Sequence, residues 1–464
     1  MLFRDITLIG LALLGISVLQ AAPASQTNAT DRFDLEQSLA FALDHNFTIR
    51  QARERIREQE GLVTTVTAAS LPSVSASATL QKSNLQLFQA GTQNSGQPVI
   101  LPSGRFWRMN FTVRQAVYAG GGIRASIKAA TFTREAAVFA LQETINAALF
   151  DVRTRFYTVL LAREDITVQE QNVELLQHQL RDATSRFEAG AVSKFERLRA
   201  EVAVANAKPP LIKARNDLRL AIVDLRNAIG LMPAGDDALE QGPEFVGTLI
   251  VEPAKVELPA ALAAARASRP ELQRLAKLVE AAEAGELTAR ASYFPSLALT
   301  AGGELRKGPT EQFGDSLRGL RAGAQAQWNG NLRATAGRVG QAESLIEQAR
   351  LALSAAELAV QVEVRRAMSS LEGATELVGA TGQSVKQAEE AVRVARIRYR
   401  AGTTPQLDLL QSQVALTTAR TNQLRANYNH NVAQARLSNA IGRSEVDYEK
   451  VAVLAPAQNA LSSK

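Results

Sequence analysis

Catalytic and metal sites are usually built from histidine, cysteine and paired carboxylate side chains. This chain of 464 residues has three histidines and no cysteine. His45, His178 and His430 lie far apart in helical sequence, without an HExxH motif or the spacing of paired metal ligands. Glu389 and Glu390 are adjacent, so a helix directs them to different faces. The sequence therefore predicts no enzyme, no metal site and no cofactor.

A glycine-rich stretch and the net charge could also indicate a ligand. The run Gly120 to Gly122 in YAGGGIR is not followed by Gly-Lys-Ser/Thr and lacks dinucleotide-binding spacing, so it predicts a turn. The 52 lysines and arginines are interleaved with 46 acidic residues, which is typical of solvated helix faces. We therefore expect no nucleic acid partner, although the net charge is +6.

The N-terminal residues have the order of an export signal. Arg4 precedes an apolar run from Ile6 to Leu19, and small residues follow as far as Ala22-Pro23-Ala24. This order predicts a cleaved signal peptide over residues 1–24, with an uncleaved anchor as the alternative because the basic region is weak. The abundant alanine and the 5% aromatic content favour closely packed helices over a wide globular core.

The chain contains an internal duplication. The stretch RFEAGAVSKFERLRAE, which begins at Arg186, reappears as RYRAGTTPQLDLLQSQ from Arg398. The sequence from Leu35 to Pro72 likewise aligns with that from Leu258 to Pro295. We therefore predict two homologous halves with one architecture. The predicted segments are a first repeat over 35–235, a linker over 236–257, a second repeat over 258–445 and a C-terminal tail over 446–464.

Each half contains two stretches in which apolar and polar residues alternate. Alternation over about ten residues is the signature of a membrane-spanning β-strand with one lipid-facing and one lumen-facing side. The predicted strands are 73–82, 106–118, 296–306 and 317–328. The predicted lumen-facing side chains are Ser75, Arg108, Arg114 and Thr300, and the predicted lipid-facing ones are Trp107, Phe111, Leu297 and Leu320.

The remainder of each half has helical sequence. The long runs 123–187 and 332–400 hold 65 and 69 residues, which corresponds to about 100 Å of α-helix each. Each long run matches in length the two shorter helical stretches of its half placed end to end. These stretches are 35–70 and 193–229 in the first half, and 258–293 and 405–441 in the second. The lengths predict a long helix beside two stacked short ones.

The two copies of the repeated motif predict the tips of helical hairpins, over 188–193 and 400–405. Gly190 and Gly402 are expected to end the long helices in the left-handed conformation. Ser193 and Thr404 are expected to cap the helices that follow.

The helices that follow the tips differ in their packing signals. In the first half, Pro209-Pro210 predicts a kink or a break. In the second half, heptad spacing predicts a coiled-coil seam against neighbouring helices. The members of this seam are Leu407, Leu410, Val414, Thr417, Thr421, Leu424 and Tyr428.

Four strands do not close a barrel, and an open sheet edge cannot face lipid, so closure requires several chains. Two chains give eight strands, whose side chains fill the interior, whereas three give twelve and leave an aqueous lumen. The predicted fold class is mainly α with a transmembrane β-barrel. Each chain is a duplicated helix-strand-strand-long helix-helix unit, and a homotrimer forms a twelve-stranded barrel with an α-helical periplasmic tunnel.

Taken in order, these motifs resemble the TolC-like outer-membrane efflux protein family. The resemblance covers about residues 35–445 and rests on the duplicated LP and FP switches, YAGGG and WNGN turns, RFEAG and RYRAG tips and AIG ends. It implies a trimeric channel-tunnel in the outer membrane of a Gram-negative-type bacterium, with its helices in the periplasm. The implied function is a passive exit duct of a tripartite efflux pump or a type I secretion system.

The resemblance also implies partners, namely a periplasmic adaptor protein, an inner-membrane transporter that supplies the energy, and outer-membrane lipid. The alternative is an exported structural or adhesive coiled-coil protein without channel activity. The long helices fit that alternative, but the duplicated amphipathic strands do not.

Two groups of site residues follow from the resemblance. The tip residues are expected to dock the adaptor, and they are Gly190, Ala191, Val192, Gly402, Thr403 and Thr404. The periplasmic gate is expected to comprise Asp408 as a ring of acids, Gln411 one turn later, and Tyr399 and Glu196 as a latch between hairpins. Local alternatives exist, since Asp408 lies where an acid complements a helix dipole and Ser193 with Glu196 fits a capping box.

Overall fold

The computed structural model describes residues 32–82, 105–231, 243–251, 256–307, 316–328 and 330–442. The predicted signal peptide 1–24 and the tail 446–464 lie outside the described residues, as does part of the linker 236–257. Within the described ranges the chain is mostly helical with a few antiparallel strands, as the sequence predicts.

The same order of elements occurs in both halves. The first half comprises β1 (Arg32–Phe33), α1 (Leu35–His45), α2 (Phe47–Ala68), β2 (Ser73–Lys82), β3 (Arg105–Ala119), α3 (Gly122–Glu188) and α4 (Lys194–Ile229). The second half comprises β4 (Glu244–Phe245), α5 (Leu258–Ser268), α6 (Pro270–Arg290), β5 (Ser296–Lys307), β6 (Ser316–Gln327), α7 (Leu332–Arg400) and α8 (Gln406–Ile441).

The long helices α3 and α7 organise the helical layer. They have 67 and 69 residues, so each is about 100 Å long. Along the half nearer the hairpin tips the helices are ordered α4, α3, α8, α7, and along the half nearer the strands they are ordered α2, α3, α6, α7. Small and branched apolar side chains, including Val152, Val360 and Val364, fill the contacts between them.

Each predicted short helix before the strands is interrupted once. Asn46 separates α1 from α2, because its Oδ1 accepts hydrogen bonds from the backbone N–H groups of Thr48 and Ile49 and so starts a new helix. In the second half Arg269 separates α5 from α6, and Pro270 occupies the first position of the new helix. The sequence prediction of continuous helices over 35–70 and 258–293 was wrong at these two residues.

Both interruptions pack against the end of the last helix of their half. Asn46 Nδ2 donates to the carbonyl oxygen of Ala228 at 2.6 Å, and Arg269 Nε donates to that of Ala440 at 3.0 Å. The helices α4 and α8 end there in left-handed glycines, Gly230 and Gly442. The duplication therefore extends to an equivalent tertiary contact in each half.

We expect the Gly230→Ala substitution to lower stability by about 2 kcal/mol or more. Left-handed φ costs a non-glycine residue about 1–2 kcal/mol, and a Cβ at Gly230 would also clash with the carbonyl oxygen of His45. The measurement is the thermal unfolding midpoint by circular dichroism. Gly190→Ala is the control, since it has the same φ sign but no neighbour within 4 Å. Equal midpoints for the two variants would contradict the packing argument.

The proline pair of α4 does not break the helix, which runs unbroken from Lys194 to Ile229. Pro209 and Pro210 lack the N–H groups that would bond to the carbonyl groups of Ala205 and Asn206. All four residues are exposed, so water can satisfy those carbonyl oxygens. The predicted break at this position was wrong.

The α8 helix is buried along more than one stripe, because it lies between α3 and α7. Part of the predicted seam does face α3: the Thr417 hydroxyl donates to Asn172 Oδ1 at 3.1 Å. However, Leu407 and Val414 are exposed within the single chain, so their packing against a neighbouring helix stays a prediction. The stripe one residue earlier is buried instead, and it consists of Gln406, Leu409, Gln413 and Leu416.

Four strands form one antiparallel sheet in the order β2-β3-β5-β6. The turn between β3 and α3 requires glycine, since Gly120 and Gly121 have φ of 61° and 83°. A Cβ at Gly120 would also lie 2.5 Å from the carbonyl oxygen of Ala291. The run of glycines is thus a turn at the junction of sheet and helices, as predicted. Among the helices of the described ranges, none is long and apolar enough to cross a membrane.

Candidate functional site

The strand register sorts the side chains of the sheet into two faces. Ser75 pairs with Thr112, Thr79 with Arg108, and Arg114 with both Ser73 and Thr300. Paired residues lie on the same side of a sheet, and residues two apart in a strand share that side. The four residues predicted to face the lumen, Ser75, Arg108, Arg114 and Thr300, therefore share one face, which we call the polar face.

The four residues predicted to face lipid share the opposite side of the sheet, which we call the apolar face. Leu80 pairs with Trp107, Phe111 with Gly303, and Gly303 with Leu320. Leu297 also lies on this face. It is three residues before Thr300 in β5, and successive side chains of a strand point to opposite sides, so the two residues face opposite ways. Leu297 pairs with Tyr118, beyond a register shift in β3. That the polar face lines a lumen and the apolar face contacts lipid remains a prediction.

A charged cluster lies on the polar face. Glu304 Oε1 is 3.0 Å from Arg108 Nε, and its Oε2 is 3.0 Å from Arg321 Nη2. The side chain of Arg321 also donates to Asn110 Oδ1 at 3.4 Å. Arg108 was predicted from the sequence to face the lumen, whereas Glu304 and Arg321 were not among the predicted site residues. Their positions in the alternating strand pattern were available as a signal, but their contact depends on the register between β3, β5 and β6.

The two hairpin tips have the same backbone geometry. Gly190 and Gly402 have φ of 73° and 72°, as predicted for left-handed helix ends. The next residues close equivalent turns: the Ala191 N–H donates to the Arg186 carbonyl at 2.8 Å, and the Thr403 N–H donates to the Arg398 carbonyl at 3.0 Å. Both tips leave the small side chains of Ala191 and Thr403 exposed.

The predicted caps of the helices after the tips do not form. Ser193 occupies the N-cap position of α4, but its side chain makes no capping hydrogen bond. The capping box with Glu196 was therefore a wrong alternative. At the second tip the N-cap residue is Pro405 rather than Thr404, whose hydroxyl is buried without a hydrogen-bond partner among the described residues. The helix α8 therefore begins at Gln406, one residue later than predicted.

The predicted latch residues Tyr399 and Glu196 lie near each other, together with Arg186, which was not among the predicted site residues. The Arg186 guanidinium carbon lies 5.0 Å from the centre of the Tyr399 ring, a cation–π contact between the two hairpins. The Tyr399 hydroxyl is buried and has no hydrogen-bond partner in the described part of the chain. Burial raises the pKa of Tyr399, and the negative charge of Glu196 raises it further while Arg186 opposes the shift. Arg186 begins the first copy of the repeated motif, so the duplication was the available signal.

The predicted acid of the gate lies at the start of α8. Asp408 is in its first turn, where an acid complements the helix dipole. Its side chain is exposed, and it forms no ion pair with a described residue. Gln411 follows one turn later and is also exposed. Leu407 and Val414 lie on the same exposed part of the helix, so this surface of α8 is not covered within one chain.

The three histidines are dispersed in the structure. His45 stacks on Phe41 with ring centroids 4.0 Å apart, and His178 Nδ1 lies 2.7 Å from Arg181 Nη2. His430 is fully buried in α8, and burial lowers its pKa. The described residues contain no group of three or more histidine, aspartate or glutamate side chains that could hold a metal ion.

Fold and site together define an elongated protein of duplicated helical hairpins joined to an amphipathic sheet. The family model described as outer membrane efflux protein matches residues 39–231 and 261–443. The chain belongs to the outer membrane efflux protein family, as the sequence motifs indicated. Members of this family are outer-membrane channels and not enzymes. The assignment therefore also confirms the predicted outer-membrane location and the prediction that the chain is a channel rather than an enzyme.

Relatives and solved structures agree with the family assignment. The chain is 26% identical to protein CyaE of Bordetella pertussis over 373 residues, covering 76% of this chain and 75% of the relative. It is 25% identical to the pyoverdine export outer membrane protein OpmQ of Pseudomonas aeruginosa over 396 residues, covering 83% and 80%.

Its fold is similar to that of the Campylobacter jejuni CmeC outer membrane channel, with a TM-score of 0.76 at 14% identity over 90% of this chain and 88% of that one. It is also similar to the outer-membrane channel OprN, with a TM-score of 0.74 at 20% identity over 88% and 90%. The predicted fold class is thereby confirmed for the single chain.

Proposed function

We propose that this chain forms a homotrimeric, passive exit duct of a tripartite efflux pump or type I secretion system. An inner-membrane transporter supplies the energy, and a periplasmic adaptor joins that transporter to the hairpin tips. Solutes then cross the outer membrane through a barrel to which each chain contributes β2, β3, β5 and β6. No step requires chemistry by this chain, which provides the path alone.

The observation that carries this proposal is the pair of open edges of the sheet. Within the described residues, β2 pairs only with β3, and β6 pairs only with β5. Their outward backbone groups need partners in a membrane, and a neighbouring copy of the chain supplies them if β6 of one copy pairs with β2 of the next. Three copies close twelve strands around an aqueous lumen.

The helical layer has matching open edges. Near the tips, α4 and α7 are the outermost helices of the chain. The exposed side of α4 carries Phe195, Leu198 and Val202 at spacings of three and four residues. This apolar stripe fits a contact between α4 of one copy and α7 of the next. The sheet and the helices therefore favour the same head-to-tail ring.

The proposal is tested by extracting the protein from membrane fractions and reconstituting it in a planar lipid bilayer. We expect a heat-modifiable trimer in outer-membrane fractions and discrete conductance steps in the bilayer. A soluble, non-conducting rod would contradict the proposal and support the structural coiled-coil alternative.

The proposed gate lies at the periplasmic end of the duct. Three copies of Asp408 around the threefold axis form a ring of carboxylates, and rings of acids favour cations. Gln411 is uncharged, so the ring has one acid per chain. The Arg186–Tyr399 contact links the hairpins α3–α4 and α7–α8, with Glu196 close by, and opening of the entrance requires these hairpins to separate. Their mutual contact therefore favours the closed state.

We expect Asp408→Asn to reduce cation selectivity and to relieve block by multivalent cations added from the periplasmic side. The physical reason is the loss of one negative charge per chain at the narrow entrance. Single-channel recording of the reversal potential and of block by a trivalent cation measures both effects. Gln411→Glu, one helical turn further on the same exposed surface, is the opposite control and should strengthen both. Unchanged selectivity and block in Asp408→Asn would leave only the helix-dipole role for this residue.

A further inference from the structure

The polar face of the sheet carries more positive than negative charge. In the described strands this face holds four arginines and one glutamate, namely Arg108, Arg114, Arg306, Arg321 and Glu304. The strand β2 contributes only serine, threonine and glutamine to the face. The other positions of the face in β3, β5 and β6 are uncharged. Each chain therefore presents a clear positive excess on this side.

The single glutamate does not neutralise the arginines. Both oxygens of Glu304 are engaged, one by Arg108 and the other by Arg321, at 3.0 Å each. One carboxylate between two guanidinium groups leaves a net positive charge even at this cluster. The cluster spans three strands, because the residues belong to β5, β3 and β6. It therefore holds two arginine side chains in defined positions along the sheet.

The other two arginines form no ion pair with a carboxylate of the described residues. Arg306 is the direct cross-strand partner of Arg108. Like charges in directly opposite positions destabilise a sheet, so this pairing has a cost that folding alone does not explain. Arg114 pairs with Thr300 on one side and Ser73 on the other, and neither neighbour carries a charge.

We infer that this arginine-rich face makes the barrel part of the duct selective for anionic solutes, that is, for solutes carrying carboxylate, phosphate or sulfate groups. The inference rests on the proposed function, in which the polar face lines the lumen. A channel wall with one sign of charge raises the local concentration of the opposite ion, and rings of arginine side chains favour anions in pores. Guanidinium groups also bind carboxylates and phosphates through two parallel hydrogen bonds.

The barrel then favours anions, whereas the periplasmic entrance favours cations. Asp408 lies at the tip end of the helices and the arginines lie in the sheet, separated by a helical layer about 100 Å long. That distance far exceeds the Debye length of about 10 Å at 0.1 M salt. The two charged zones therefore act independently, and substitutions in the sheet report on the barrel alone.

The inference is tested by single-channel recording of the full-length protein under a potassium chloride gradient. We expect the Arg114→Gln/Arg306→Gln double variant to lower the ratio of chloride to potassium permeability by roughly two-fold or more. Arg318→Gln is the control. Arg318 pairs with Leu305 on the apolar face, so this variant removes one positive charge per chain without changing the charge of the polar face. We expect this control to leave the ratio unchanged.

A variant that adds charge provides a second measurement. Gln325 lies on the polar face of β6 opposite Ala298, so Gln325→Arg adds a cation without placing it opposite another arginine. We expect this variant to raise the ratio of chloride to potassium permeability. It tests the anion selectivity of the barrel even if the double variant does not assemble. Conducting channels in which the polar-face variants leave the ratio unchanged, or change it no more than Arg318→Gln does, would overturn the inference. A protein that forms no channel would instead contradict the proposed function.

Discussion

Leu320→Arg is expected to reduce the amount of folded protein in the outer membrane by about 30-fold or more. Leu320 lies in the middle of β6 on the apolar face, and 94% of it is exposed in the single chain. An arginine on the lipid side at the bilayer midplane costs about 2–4 kcal/mol, and each 1.4 kcal/mol is about a factor of ten. The measurement is the yield of heat-modifiable protein in outer-membrane fractions by semi-native electrophoresis.

Gly319→Arg is the matched control for that experiment. Gly319 is the adjacent residue, so it has nearly the same depth but lies on the polar face, where it pairs with Glu304. A Cβ at this position meets nothing within 4 Å. We expect near-normal yield, because the new guanidinium faces water and a carboxylate. Equal losses for the two variants would contradict the assignment of the faces.

Leu297→Arg should have a smaller effect than Leu320→Arg, although both residues lie on the apolar face. Leu297 is the second residue of β5 and lies next to the helical layer. It is therefore close to the membrane interface, where the cost of an arginine falls to about 0–1 kcal/mol. The sequence pattern assigns these two leucines to one face, but their depth follows only from the position of each strand relative to the helices.

Replacing Ala191 and Thr403 together by tryptophan is expected to abolish adaptor binding and export while the protein still assembles. Both side chains are exposed at the tips, and the backbone hydrogen bonds that close the turns do not involve the Ala191 side chain. Loss of a docking contact worth about 2 kcal/mol lowers occupancy by roughly 30-fold. In-cell cross-linking from a photoreactive residue at Val192, followed by identification of the captured adaptor, measures the loss.

Lys386→Trp is the control for the tip experiment. Lys386 is exposed on α7, fourteen residues before the helix ends at Arg400, which places it about 20 Å from the tip. We expect normal cross-linking and normal assembly in this variant. Normal cross-linking in the tip double variant would contradict adaptor docking at the tips and leave Gly190 and Gly402 with the role of tight turns.

Much of the architecture follows from local patterns in the sequence. Strand alternation has a period of two, so a slip of one residue would move every apolar side chain to the other face. Arg114 and Thr300 therefore share a face with Ser75 once the strands pair at all. The left-handed conformation of Gly190 and Gly402 was also predictable from local sequence, because few residues other than glycine adopt positive φ without cost.

Contacts between distant elements were not predictable in the same way. The sequence predicted one stripe on α8, but the helix lies between α3 and α7 and buries Gln413 rather than Val414. The Arg186–Tyr399 contact joins residues of two hairpins that are far apart in the chain. Such contacts depend on the rotation of each helix about its axis, which heptad spacing leaves open when a helix has two neighbours.

The sequence by itself determined the duplication, the alternating strands, the long helices and, through their order, the family. The interruptions at Asn46 and Arg269 have local causes, a capping asparagine and Pro270, but only the tertiary structure showed the hydrogen bonds to Ala228 and Ala440 that hold them against another helix. Only the register between strands brought Glu304 between two arginines on the polar face. Local propensity acts within a few residues, whereas these positions are set by groups tens to hundreds of residues away in the chain.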